Sequence, residues 1–128
     1  MEVKGGHNNK SFVCLFEFIG TAMLLFAINV STETGMAPWG AGLSLMGSIC
    51  IFGQVSGGHF NPAITLAVLI AEGKEKFGDN IGFALMIMGS QIIGAFVGCG
   101  CAFAASYSSD GVGPDAFIPA IAFLAPYG

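Results

Sequence analysis

Ser56-Gly57-Gly58-His59-Phe60-Asn61-Pro62-Ala63-Ile64-Thr65 is the stretch on which the reading of this chain turns. Gly57 and Gly58 interrupt an apolar run and permit backbone conformations that other residues avoid. Asn61 is a strong N-cap and Pro62 suits the first helical position, so a new helix is expected to start there. The apolar run that follows reaches only Ala71, about ten residues and about 15 Å of helix. Glu72-Gly73 and the charged run after it return the chain to water, with Gly73 expected to end the helix. An Asn-Pro pair in an apolar chain is often only a kink, and Asn-Pro-Ala alone is a weak match anywhere. The longer run is much more specific.

The rest of the sequence says what kind of solvent this turn sits in. The chain has 128 residues, of which 9% are charged and 54% hydrophobic. An average soluble domain carries about 25% charged residues. High hydrophobicity with few charges excludes a disordered chain. A net charge of -4, with Lys the sole strong base, excludes a nucleic-acid binder. A soluble globule this small could not hide so much apolar side chain, because most of it is surface.

Three long apolar tracts lie between the charged residues. They cover residues 12–30, 37–55 and 81–105, and within them the one charge is Glu17. Each is long enough to cross about 30 Å of hydrocarbon. The tract at 62–71 covers only half that distance and reads as a re-entrant half-helix or a buried core helix. The expected fold is therefore an all-α membrane protein with three transmembrane helices and one half-helix. Lys4 and Lys10 precede the first tract, and Lys74 and Lys76 follow the half-helix. Basic residues stay on the cytoplasmic side, which puts residues 1–11 and the loop holding Lys74 and Lys76 in the cytoplasm. A signal peptide is the alternative for the first tract, but Glu17 interrupts it, it is longer than a usual apolar core, and no small-residue cleavage site follows closely.

Other features have plain structural readings. Cys14, Cys50, Cys99 and Cys101 all fall in apolar tracts, with no C-x-x-C and only His7 and His59 beside them. No metal site, disulfide framework or cofactor is expected, and the thiols read as small hydrophobes. Ser90, Gly94, Gly98 and Ala102 recur every fourth residue, as do Gly53 and Gly57. Small residues one turn apart let helices approach closely in lipid. Glu17, His59 and Gln91 are too few and too dispersed for acid–base or metal chemistry, so no enzyme is expected. Asn29-Val30-Ser31 is a glycosylation sequon, placed close to the outer membrane face.

A helix that starts at Asn61 near the middle of a membrane turns its free N–H groups and positive dipole end to that point. The unwound residues before it carry carbonyls with no helical partner, tolerated at that depth only where protein buries them or a watery cavity meets them. Carbonyls leading to an Asn amide suit small neutral polar molecules, while the positive helix end repels cations.

At this point the run resembles the first Asn-Pro-Ala loop of the major intrinsic protein family, the aquaporins and aquaglyceroporins. Glu17-Phe18-Ile19-Gly20-Thr21 resembles that family's first-helix motif. Gln91-Ile92-Ile93-Gly94-Ala95 resembles its third-helix motif, with Ser90 in place of the usual Ala. The resemblance covers residues 12–105 and implies one inverted repeat of that fold.

It also implies roles. Asn61 would donate its side-chain amide to water at the pore centre. Pro62 and Ala63 would fix the helix start and pack against the matching loop of a second half. The carbonyls of Gly57, Gly58, His59 and Phe60 would form a polar ladder. Glu17 would hold the loop backbone and His59 as a buried structural carboxylate, and His59 reads as a structural histidine ahead of a proton switch. One wall of the selectivity filter would be Ala41, twenty positions before Asn61. Family members often have Phe or Trp there, so Ala41 implies a wider opening unless bulky residues elsewhere refill it. Leu45 would line the pore one turn deeper.

The family has six spans in two inverted repeats, and a filter Arg in the second. This sequence holds one repeat and no Arg. It is expected to be half of a passive channel for water, with glycerol-like solutes as further candidates. The partners implied are the bilayer, a second half, and a homo-tetramer in the full-length form. Residues 106–128 read as an extracytoplasmic loop cut short, which favours a fragment over a natural half that pairs head to tail. A non-conducting scaffold that binds another half is the competing class.

Overall fold

The computed structural model describes residues 7–32 and 34–110, and these form four helices and no strand. They are α1 (His7–Thr32), α2 (Ala37–Ser56), α3 (Pro62–Ala71) and α4 (Lys74–Asp110). Lys4 and the residues expected to form most of the outer loop lie outside the described ones. The described residues are thus all-helical, as the sequence predicts.

Among the described residues, two helical stretches are apolar and long enough to cross a membrane. They are Lys10–Thr32 in α1, mean hydropathy 2.1, and Glu75–Ala105 in α4, mean hydropathy 1.8. The 20-residue α2 has the length of a span and carries no charged residue, but it is not one of these two. α4 begins at Lys74, earlier than the apolar tract at 81–105, and continues through Asp110. Its first turns are the charged run, built from the good helix formers Glu75 and Lys76. The Asn80 amide donates to Glu72 Oε2 at 2.7 Å and closes the turn between α3 and α4.

α1 is the central element, packed on both α2 and α4. The α1–α4 seam is close because of two glycines. A Cβ on Gly94 would run into the Phe18 carbonyl, and one on Gly98 into the Ala22 carbonyl. Two backbones in contact gain dispersion energy along their length, which is how helices associate in lipid. At one end of this seam Val13, Phe83 and Ile87 make a small core, and the Lys10 ammonium lies 5.3 Å from the Phe83 ring centre. α2 joins the other side of α1 through the stacked Phe16 and Phe52 rings and through Gly40, which lies against Ser31. The outside of the bundle is apolar, with Trp39, Leu43, Ile51 and Phe96 each more than half exposed. A surface of that kind faces lipid or another protein.

Candidate functional site

The loop between α2 and α3 is built by its own residues. Gly57 caps α2 in the left-handed region at φ 92, and its N–H returns to the Gly53 carbonyl at 2.9 Å. Gly58 is also left-handed, at φ 67. Asn61 caps α3, its Oδ1 accepting the Ala63 N–H at 2.8 Å, with Pro62 at the first helical position. α3 stops after ten residues, and Gly73 leaves it at φ 85. These are the caps that the residue types demand.

What holds the loop in place comes from α1 and α4. Glu17 on α1 is fully buried. Its Oε1 accepts the His59 N–H at 3.0 Å, and its Oε2 accepts the Phe60 N–H at 2.6 Å. The Gln91 amide on α4 donates to the same Oε2 at 2.8 Å and to Thr65 Oγ1 at 3.0 Å. Thr65 Oγ1 lies 3.1 Å from His59 Nδ1. Glu17, Gln91 and Thr65 thus tie α1, α4 and α3 to the loop at one buried point. A carboxylate inside an apolar bundle is costly unless it is well bonded, and three N–H donors answer that need. Glu17 grips the His59 backbone only. The ring nitrogen Nδ1 is turned to Thr65.

The loop's polar groups are sorted by type. The N–H groups of Gly57, Gly58, His59 and Phe60 are all bonded, to Gly53, Ser56 Oγ and the two Glu17 oxygens. The carbonyls of the same four residues accept no hydrogen bond from the described residues. Asn61 is exposed, and with Oδ1 used as the cap its Nδ2 donates to no described residue. Above Asn61 and Pro62 a groove of about 420 Å³ opens between Thr21, Leu24, Leu25 and Ile28 of α1 and Gln91, Ile92, Ala95, Phe96 and Cys99 of α4.

The comparisons with known proteins meet this geometry. A model described as major intrinsic protein matches residues 7–122. The chain belongs to that family. The glycerol uptake facilitator protein-like 6 of Lactiplantibacillus plantarum is 42% identical over 88 residues, 65% of this chain and 38% of the relative. Aquaporin-2 of Rhizopus delemar is 36% identical over 95 residues, 66% of this chain and 28% of the relative. The glycerol uptake facilitator protein of Pseudomonas aeruginosa is 35% identical over 107 residues, 74% of this chain and 34% of the relative. The chain therefore spans well under half the length of these relatives. No solved structure matches it.

Members of the major intrinsic protein family are membrane channels, not enzymes. Against that family's expected site, the structure brings Glu17, His59, Phe60, Asn61, Pro62 and Ala63 to one place, with Gly57 and Gly58 leading in. It does not bring Ala41 or Leu45 there. Both lie on α2, Ala41 half-buried and Leu45 partly exposed, and neither lines the groove above Asn61. Two members of the buried cluster have no role in the sequence reading. Thr65 stands in the decisive run and Gln91 in the third-helix motif, but as single polar residues in apolar helices neither declares a partner. Their signal is that a buried polar side chain in a membrane helix must find one.

Proposed function

We propose that this chain supplies one half of a passive pore for water and small neutral solutes such as glycerol. The observation that carries the reading is the sorting of polar groups at residues 57–60. All four N–H groups are fastened to protein, four carbonyls are left to accept, and the row ends at the Asn61 amide on the N-terminus of α3. Water can donate to each carbonyl in turn and then accept from Asn61. Cations would meet the positive end of the α3 dipole. The names of the relatives, aquaporins and glycerol uptake facilitators, support the same solutes.

In this reading α1, α2 and α4 cross the bilayer and α3 dips in from the side of Lys10 and Lys76, which is the cytoplasmic side. The three helices and the dip make one of two inverted repeats. A second repeat, on the same polypeptide or on another, would set its own half-helix over Asn61, Pro62 and Ala63 and fill the groove between α1 and α4. Ala41 would form one wall of the filter and Leu45 the lining beneath it, with the assembled protein a tetramer.

Asn61→Asp tests the reading. It keeps the cap oxygen and the size, but replaces the amide donor with a second acceptor. Osmotic swelling of vesicles holding the pore-forming protein is expected to fall at least about tenfold, the effect of raising the barrier by about 1.4 kcal/mol. Unchanged swelling with equal insertion would remove Asn61 from the path. Equal swelling of empty vesicles and vesicles holding the assembled wild type would favour a non-conducting scaffold.

A further inference from the structure

Phe60 occupies a place that neither the polar ladder nor the Asn61 cap explains. Its ring is 1% exposed, the most deeply buried side chain of the loop. Its backbone is left-handed, at φ 46, the one described residue other than glycine with a positive φ. That region disfavours a side chain with a Cβ, so something must hold the residue there. Two contacts do so, both from one face of α1. Glu17 accepts the Phe60 N–H. Gly20, one turn further along, lies flush against the ring, and a Cβ built on Gly20 would overlap ring atoms Cε1 and Cδ1. On its other side the ring borders Gly58, where an added Cβ would lie 3.7 Å from Phe60 Cε2.

We infer that Phe60 and Gly20 form a size-matched seat that fixes the depth and rotation of the loop, and so the position of Asn61 in the path. A carboxylate gripping two adjacent N–H groups sets the loop's distance from α1 but leaves it a hinge. A flat ring lying against a bare Cα stops that hinge, because rings in close-packed interiors cannot rotate without moving their neighbours. Asn61 follows Phe60 directly, so a swing at Phe60 moves the cap and the start of α3. Phe60 is thus a positioning residue, acting through Asn61, and the inference rests on the pore reading above for its functional meaning.

A size-exchange series tests it. Gly20→Ala adds a methyl where the ring lies. Phe60→Leu shortens the side chain and leaves space beside Gly20. The double variant Gly20→Ala/Phe60→Leu returns the lost volume from the opposite side. Amide hydrogen exchange in lipid nanodiscs reads the seat without any need for conduction. Each single variant is expected to speed exchange at the His59 and Phe60 N–H groups about tenfold, and the double variant to return it to within about threefold of wild type. Should Gly20→Ala fail to insert, Phe60→Leu against the double variant still decides, and a double variant that exchanges as fast as or faster than Phe60→Leu overturns the seat. Swelling of vesicles with the pore-forming protein adds the functional arm, in water and in glycerol. The ratio of the two rates should shift in the single variants and recover in the double. Recovery of exchange in a protein whose wild type does not conduct would keep the seat and reject the pore.

Discussion

At the scale of single residues, the buried cluster makes sharp demands. Both Glu17 oxygens are used, and every donor to them is an N–H. Glu17→Gln replaces one oxygen with an amide that would face a backbone N–H or the Gln91 amide, donor against donor. The loss should be about 1–3 kcal/mol, the cost of one buried group left without a partner, read as a lower unfolding midpoint in detergent. A midpoint unchanged from wild type would mean that the loop is held without the carboxylate. Thr65 gives a cleaner comparison. Thr65→Val keeps its shape and removes the hydroxyl that serves both Gln91 and His59. It should cost about 1–3 kcal/mol, while Thr65→Ser should retain most of the stability. The imidazole 15N shifts of His59 offer a second measure, expected to move in Thr65→Val and to stay in Thr65→Ser. Glu17 announced itself in the sequence, because a lone acid in an apolar tract must be bonded. Its choice of the His59 backbone over the ring did not, since that depends on how far the loop stands from α1.

At the scale of elements, glycines on one helix are predicted to behave in two ways. Gly94 and Gly98 of α4 touch the α1 backbone, where nothing can yield to a methyl. Gly94→Ala and Gly98→Ala should each destabilise the protein by about 1–3 kcal/mol, the cost of overpacking. Gly89 and Gly100 have open space where a Cβ would go. Gly89→Ala and Gly100→Ala should be neutral or stabilising by no more than about 1 kcal/mol, through helix propensity alone. Thermal unfolding of the four variants in one detergent checks both halves, and equal effects at all four positions would refute the seam. The spacing of four in the sequence marks Gly94 and Gly98 as packing residues. It does not name α1 as their partner. Helix starts and stops were equally readable at Asn61, Pro62 and Gly73, where the local residues carry the geometry themselves. The start of α4 was less so, since the sequence marks where apolarity begins and helix formation does not depend on it.

At the scale of the whole molecule, the groove over Asn61 is an uncovered face between α1 and α4. It is open and lined mostly by apolar side chains of α1 and α4. In the proposed pore, a side left uncovered in this way is not sealed from lipid. Vesicles holding residues 1–128 as the sole protein are therefore expected to swell at the rate of empty vesicles. Added permeability from inserted chain would show that copies of it complete a pore together. In the assembled protein, Ala41→Phe should slow glycerol while sparing water, and unchanged glycerol entry would remove Ala41 from the filter. The apolar helices and the breaks at Gly57, Asn61 and Gly73 were legible in the sequence, because hydropathy, caps and left-handed glycines act over a few residues. The family was legible there too, in three short motifs. The tertiary structure alone decided that Glu17, Thr65 and Gln91 meet, that Phe60 lies on Gly20, and that Gly94 and Gly98 press on α1. Those residues are far apart in the chain, and which buried polar group finds which, or which ring meets which bare Cα, is fixed only when the helices have packed.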